Sequence, residues 1–93
     1  MNMTTSTLDA RVHEARAATD ERLQQFPGHP LFTYASRDIA KIEDRIASGA
    51  PIDREFYDSL NVGLMCAREL EAVDMPYCDK IYAMLEEVRL QTA

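Results

Sequence analysis

Three short breakers divide this chain of 93 residues: Pro27-Gly28-His29-Pro30, Gly49-Ala50-Pro51 and Asp74-Met75-Pro76. Proline removes an amide donor and clashes with the preceding turn, so a helix ends before such a point or restarts just after it. Between the breakers the apolar residues recur every three or four positions, which is the helical period. The expected fold is all-α, a compact four-helix domain with short connections. Connections this short make successive helices antiparallel or steeply crossed neighbours.

Each stretch has its own stripe. Leu8, Val12, Ala15, Thr19, Leu23 and Phe26 run along the first, and Ser6 with Asp9 three residues on predicts its start, leaving residues 1–5 frayed. Glu14, Arg16, Asp20 and Glu21 lie off that stripe and are expected in solvent. Pro30 suits the first turn of the second helix, Phe32, Ala35, Ile39, Ile42 and Ile46 form its face, and Gly49 is its left-handed cap. Asp53 caps a third helix whose main face is Phe56, Leu60, Gly63, Leu64, Ala67 and Leu70. Asp74 caps a fourth with Tyr77, Ile81, Met84, Leu85 and Val88 inward. Glu86 and Glu87 sit late in that helix, against the dipole preference.

Ninety-three residues make one domain, residues 1–93, with little room for both a core and an internal active site. Hydrophobic residues are 46% of the chain, enough for a core and too many for disorder. The net charge of −6 disfavours nucleic-acid backbones and anionic membranes. Acidity also suits a basic partner, such as an enzyme that binds phosphorylated substrates. Without an apolar run of spanning length, or a basic and then apolar amino terminus, the expectation is a cytoplasmic protein with no membrane partner.

Catalytic chemistry has little to stand on. Asp9 and His13 share a helix face but lack further metal ligands in sequence, and His29 lies in a Pro-Gly turn where it can cap. Cys66 and Cys78, twelve residues apart, suit buried reduced thiols. Cys66 stands in mid-helix, where nothing supports a thiolate. The acid pairs Glu43-Asp44 and Glu86-Glu87 diverge around their helices. The expectation is no catalytic, cofactor or metal site.

The third stretch departs from a plain bundle because it is apolar on two sides. Val62, Met65 and Val73 lie opposite its main stripe, beside Asp58 and Glu69. Either this helix is central and touches the others, or one side is a docking surface. Gly63 in mid-helix fits a close approach by another backbone. The candidate surface is Asp58, Val62, Met65 and Glu69, with Asp74 and Asp79 nearby. A second candidate is the polar flank of helix two, Tyr34, Asp38 and Arg45, where Asp38 also pairs with Lys41 at i, i+3.

The segment order carries a resemblance. Arg22-Leu23-Gln24-Gln25-Phe26-Pro27-Gly28 closes a first helix, and a second rich in Ile and Ala follows. Ile52-Asp53-Arg54, Leu60-Asn61-Val62-Gly63 and Ala67-Arg68-Glu69-Leu70 mark the third, and an acidic break with proline leads into a Tyr-rich last helix. Over residues 8–90 the chain resembles the small helical immunity proteins of type VI secretion systems, and among them the family that neutralises NAD(P)⁺ glycohydrolase effectors. Met1–Thr7 have no counterpart in that pattern. The resemblance implies an antitoxin without catalysis that occludes a cognate secreted toxin stoichiometrically and keeps the dinucleotide out. Alternatives are a helical adaptor or chaperone, immunity to a different nucleotide-targeting toxin, and a small enzyme using Cys66. The exposed side of helix three would also serve a homodimer.

Overall fold

Helix ends fall where proline, glycine and aspartate put them. The computed structural model describes residues 3–92, in which α1 spans Met3–Gln25, α2 Pro30–Ser48, α3 Arg54–Asp58 and α5 Met75–Gln91. α4 begins as an α-helix over Val62–Met65 and continues as a wider π turn over Cys66–Leu70, closed by the Glu71 N–H donating to the Cys66 carbonyl at 3.0 Å. No strand occurs among the described residues. The Cα radius of gyration is 12.8 Å, close to the roughly 12 Å of a compact globule this long.

The caps explain the boundaries. His29 precedes Pro30 and its Nδ1 accepts from the Leu31 N–H at 3.2 Å. Gly49 ends α2 at φ 71°, in the left-handed region, and its N–H donates to the Ile46 carbonyl at 3.2 Å. The Asp53 carboxylate accepts from the Phe56 N–H at 2.8 Å, and that of Asp74 from the Tyr77 N–H at 3.4 Å. Glu86, misplaced for the helix dipole, is held by Arg89 one turn on, with Nε donating to Oε2 at 3.0 Å.

The amino terminus corrects one expectation. α1 is already helical at Met3, so Ser6, expected at its start, lies within it. Met1 and Asn2 lie outside the described residues. At the other end Phe26 is 52% exposed, because α1 stops at Gln25 and the chain is already turning. Its ring stacks on Phe32 instead, 6.4 Å between centroids.

α1 packs on both α2 and α5, and these three helices form the body. Leu8, Val12 and Ala15 meet Phe32, Ile39 and Ile42 of α2 and Ile81, Met84 and Val88 of α5 in one buried cluster. Tyr77 joins all three helices. Its hydroxyl lies 2.8 Å from Thr19 Oγ1, its ring meets Phe32 edge-on at 5.1 Å, and the Arg22 guanidinium sits 5.5 Å from its centroid. Burial pushes the Tyr77 phenol up to about 12. Arg22 also grips Asp74 with Nε and Nη2 at 3.0 and 3.1 Å. Arg16, expected in solvent, clamps α1 to α2: it donates to Glu43 at 2.8 and 3.2 Å and to Ser36 Oγ and O at 2.6 and 3.0 Å.

The third stretch is not one helix, and it is not central. α3 ends at Asp58, α4 starts at Val62, and α4 packs on α2 and α5 rather than on α1. The break resets the phase. Val62, Cys66 and Leu70 point into the core, while Leu64 and Ala67, expected inward, are exposed. Gly63 meets a side chain rather than a backbone, since a Cβ there would stand 2.7 Å from Leu85 Cδ1.

Candidate partner-binding surface

The π turn decides what α4 shows to solvent. In an α-helix a residue four positions on has rotated about 40° past its predecessor. The wider turn removes much of that drift. Residues spaced by four therefore stack in rows: Val62, Cys66 and Leu70 inward, Asn61, Met65 and Glu69 beside them, and Leu64 with Arg68 outward. The last two rows form one wall of a groove of about 480 Å³, and Pro30, Leu31 and Tyr34 at the start of α2 form the other.

This groove brings together residues from both candidate surfaces. Met65 and Glu69 came from helix three and Tyr34 from helix two, and all three line it. Leu31 and Met65 are half-buried in its floor, and Leu64 stands 54% exposed at its edge. Arg68, Glu69 and Tyr34 have no ion pair or side-chain hydrogen bond within the chain among the described residues. By contrast Arg11, Arg16, Arg22, Arg54 and Arg89 are all engaged with carboxylates. An apolar floor with unengaged polar and charged groups at its edge matches the anatomy of a protein interface, apolar at the centre and polar at the rim.

The other expected contact residues lie elsewhere. Val62 is fully buried, so it belongs to the core and not to an accessible surface. Asp38, placed on a solvated flank in the sequence reading, is only 4% exposed. Its Oδ2 accepts from the N–H groups of Asn61 and Val62 at 2.8 and 3.0 Å, and its Oδ1 keeps the expected pair with Lys41 at 3.8 Å. Asp74 is taken up by Arg22 and the α5 cap, and the guanidinium holds its carboxyl below the usual carboxylate range. Arg45 donates to the Pro51 carbonyl at 2.9 Å and lies 4.3 Å over the Phe56 ring. Asp58 pairs with Arg54 at 3.1 Å on a separate depression beside Tyr82 and Leu85. Asp79 is exposed on α5 and is not part of the groove lining.

Leu31, Leu64 and Arg68 were missed. A single continuous helix over the third stretch turns Leu64 inward, whereas the restarted helix turns it out. The signal against that was Asp58-Ser59 followed by Asn61, residues whose side chains compete for backbone hydrogen bonds.

A larger depression, about 770 Å³ between α2 and α3, is a weaker candidate. Its Lys41, Arg45 and Asp53 already serve the Ser59 carbonyl, the Pro51 carbonyl and the Phe56 N–H. Nor does Cys66 offer a nucleophile: it is fully buried, and desolvation drives its thiol far up. Cys78 is buried beside it, its Sγ 3.9 Å from the Cys66 carbonyl, and the two thiols are not joined. No described helix is long and apolar enough to cross a membrane.

No curated protein and no solved structure matches the chain, whereas a family model, Tsi6, matches residues 7–88. That span takes in α1 through most of α5, including both walls of the groove. The chain therefore belongs to the Tsi6 family, a type VI secretion immunity family whose members bind a cognate toxin.

Proposed function

We propose that this protein neutralises a type VI effector that degrades NAD(P)⁺, by seating the α2–α4 groove on the toxin and closing its active site. The observation that carries the reading is the convergence of Tyr34, Leu64, Met65, Arg68 and Glu69, from two helices, on one apolar groove whose charges have no internal partner. Buried apolar anchors within a polar rim supply most of the affinity of tight complexes. The dinucleotide is what the resemblance to the immunity family of NAD(P)⁺-degrading effectors implies, and the charge of the chain is in keeping with it. A toxin pocket that holds a pyrophosphate is positive, and a lid with net charge −6 is attracted to its mouth. Blocking a cavity needs no chemistry of the lid's own, in keeping with Cys66 being sealed in the core.

The test is co-expression with the toxin encoded beside it. The expected result is a one-to-one complex in which NAD(P)⁺ turnover stops. Met65→Arg combined with Glu69→Arg weakens the complex at least 100-fold while thermal unfolding of the free protein stays in place. Unchanged binding by that double variant, or a homodimer through the groove in place of the toxin complex, overturns the proposed surface. A toxin that is captured but leaves NAD(P)⁺ intact when free overturns the dinucleotide assignment.

A further inference from the structure

We infer that Asp38 is a positioning residue for the binding groove: it touches no partner, and it sets where α4 starts and hence how the groove's two walls face each other. The inference rests on the groove being the toxin-binding surface. The two walls come from stretches more than twenty residues apart. Pro30, Leu31 and Tyr34 belong to α2, while Asn61, Leu64, Met65, Arg68 and Glu69 belong to the α4 stretch. α4 itself is short, begins after a break, and has no side-chain cap of its own, since the Asn61 side chain makes no capping hydrogen bond. A capless start of this kind leaves amide donors without partners.

Asp38 supplies what is missing, from another helix. One carboxylate oxygen accepts from both the Asn61 and Val62 N–H groups, at 2.8 and 3.0 Å, in a setting where the residue is 4% exposed. Hydrogen bonds to a charged acceptor are the stronger kind, and a negative charge at a helix start is favoured by the backbone dipoles. Lys41, one turn along α2, holds the second oxygen at 3.8 Å and also reaches the Ser59 carbonyl at 3.4 Å. Asp38 is one turn beyond Tyr34 on α2, and Asn61 is one turn before Met65. The same carboxylate therefore ties the Tyr34 wall to the Met65 wall at a fixed height and rotation. Removing it frees α4 to slide or turn on α2, and Met65, Arg68 and Glu69 lose their register with Tyr34.

The experiment compares Asp38→Ala and Asp38→Asn with Val88→Ala, a core truncation at the far end of α5 chosen to match the loss of stability. Toxin affinity is measured for each, with amide hydrogen exchange on the free proteins. Asp38→Ala is expected to lose at least tenfold in affinity and to lose protection at Asn61 and Val62. Asp38→Asn, which keeps an acceptor oxygen, falls between it and the wild type. Val88→Ala, equally destabilised, binds as the wild type does. If Asp38→Ala unfolds, the comparison is made with Asp38→Asn alone, which then has to bind more weakly than Val88→Ala. Equal binding by the Asp38 and Val88 variants overturns the inference while leaving the groove standing. If Met65→Arg with Glu69→Arg binds normally, the groove itself is wrong.

Discussion

In the body formed by α1, α2 and α5, each buried stripe runs along one uninterrupted helix, and the polar links between helices are closed: Thr19 with Tyr77, Arg22 with Asp74, Arg16 with Glu43. In the α3–α4 stretch the helix is broken and restarted, its second half is widened by a π turn, and its start is capped by a residue from α2. Leu64 and Val73 stand 54% and 77% exposed along it. The body holds most of the buried apolar side chains and the ion pairs that join helices, although Met75 and Leu90 stay exposed on it. The α4 wall leaves apolar and charged groups unsatisfied, as a surface awaiting a partner does. Fold and recognition thus draw on different side chains, with α2 contributing to both.

That division can be broken by mutation. Tyr77→Ala removes the ring that joins three helices and is expected to cost about 3–5 kcal/mol of stability in denaturant titration. Any loss of toxin binding should be no more than the unfolded fraction explains. Tyr34→Ala should do the reverse, costing about 2 kcal/mol of binding free energy by titration calorimetry and changing stability by less than about 0.5 kcal/mol. If Tyr34→Ala destabilises as much as it weakens binding, the two regions are not separable.

Smaller effects sharpen the picture. Asp74→Asn keeps the α5 cap and removes the charge held by Arg22, at a cost of about 1 kcal/mol at neutral pH, discounted for partial exposure. The Asp74 carboxyl titrates lower in the folded state than in the unfolded chain. Its contribution is therefore present above the unfolded value, about 4, and is lost as pH falls through the lower folded value. The gap between wild type and Asp74→Asn should close over that acid range, and a gap that persists at the acid end counts against the ion pair. Gly63→Ala should be the mildest change. The added methyl displaces the Leu85 terminus, but alanine's helix preference offsets this, and the net shift in stability should be under about 1 kcal/mol.

Most of the body was legible in the residue pattern. The breakers, the caps at Asp53, Asp74 and Gly49, and the stripes of α2 and α5 depend on local chemistry, which acts over four or five residues. Three of the eight residues lining the groove were legible too, because Met65, Glu69 and Tyr34 stand out as residues the core does not need. Their meeting in one groove was not, nor was the loss of Val62 and Asp38 to the interior. An aspartate at i, i+3 from a lysine looks the same whether it faces water or the start of another helix.

What the amino-acid order determined by itself is the all-α class, the helix stops at Pro27, Gly49 and Asp74, and the apolar faces of α1, α2 and α5, since these follow from backbone sterics, capping and helical period. Only the tertiary structure decided that Asp38 caps the restarted helix from across the molecule, and that α4 widens after Met65. The physical reason is that a capping hydrogen bond supplied from more than twenty residues away, and the close seat of Leu85 against Gly63, exist only once α2, α4 and α5 have come together.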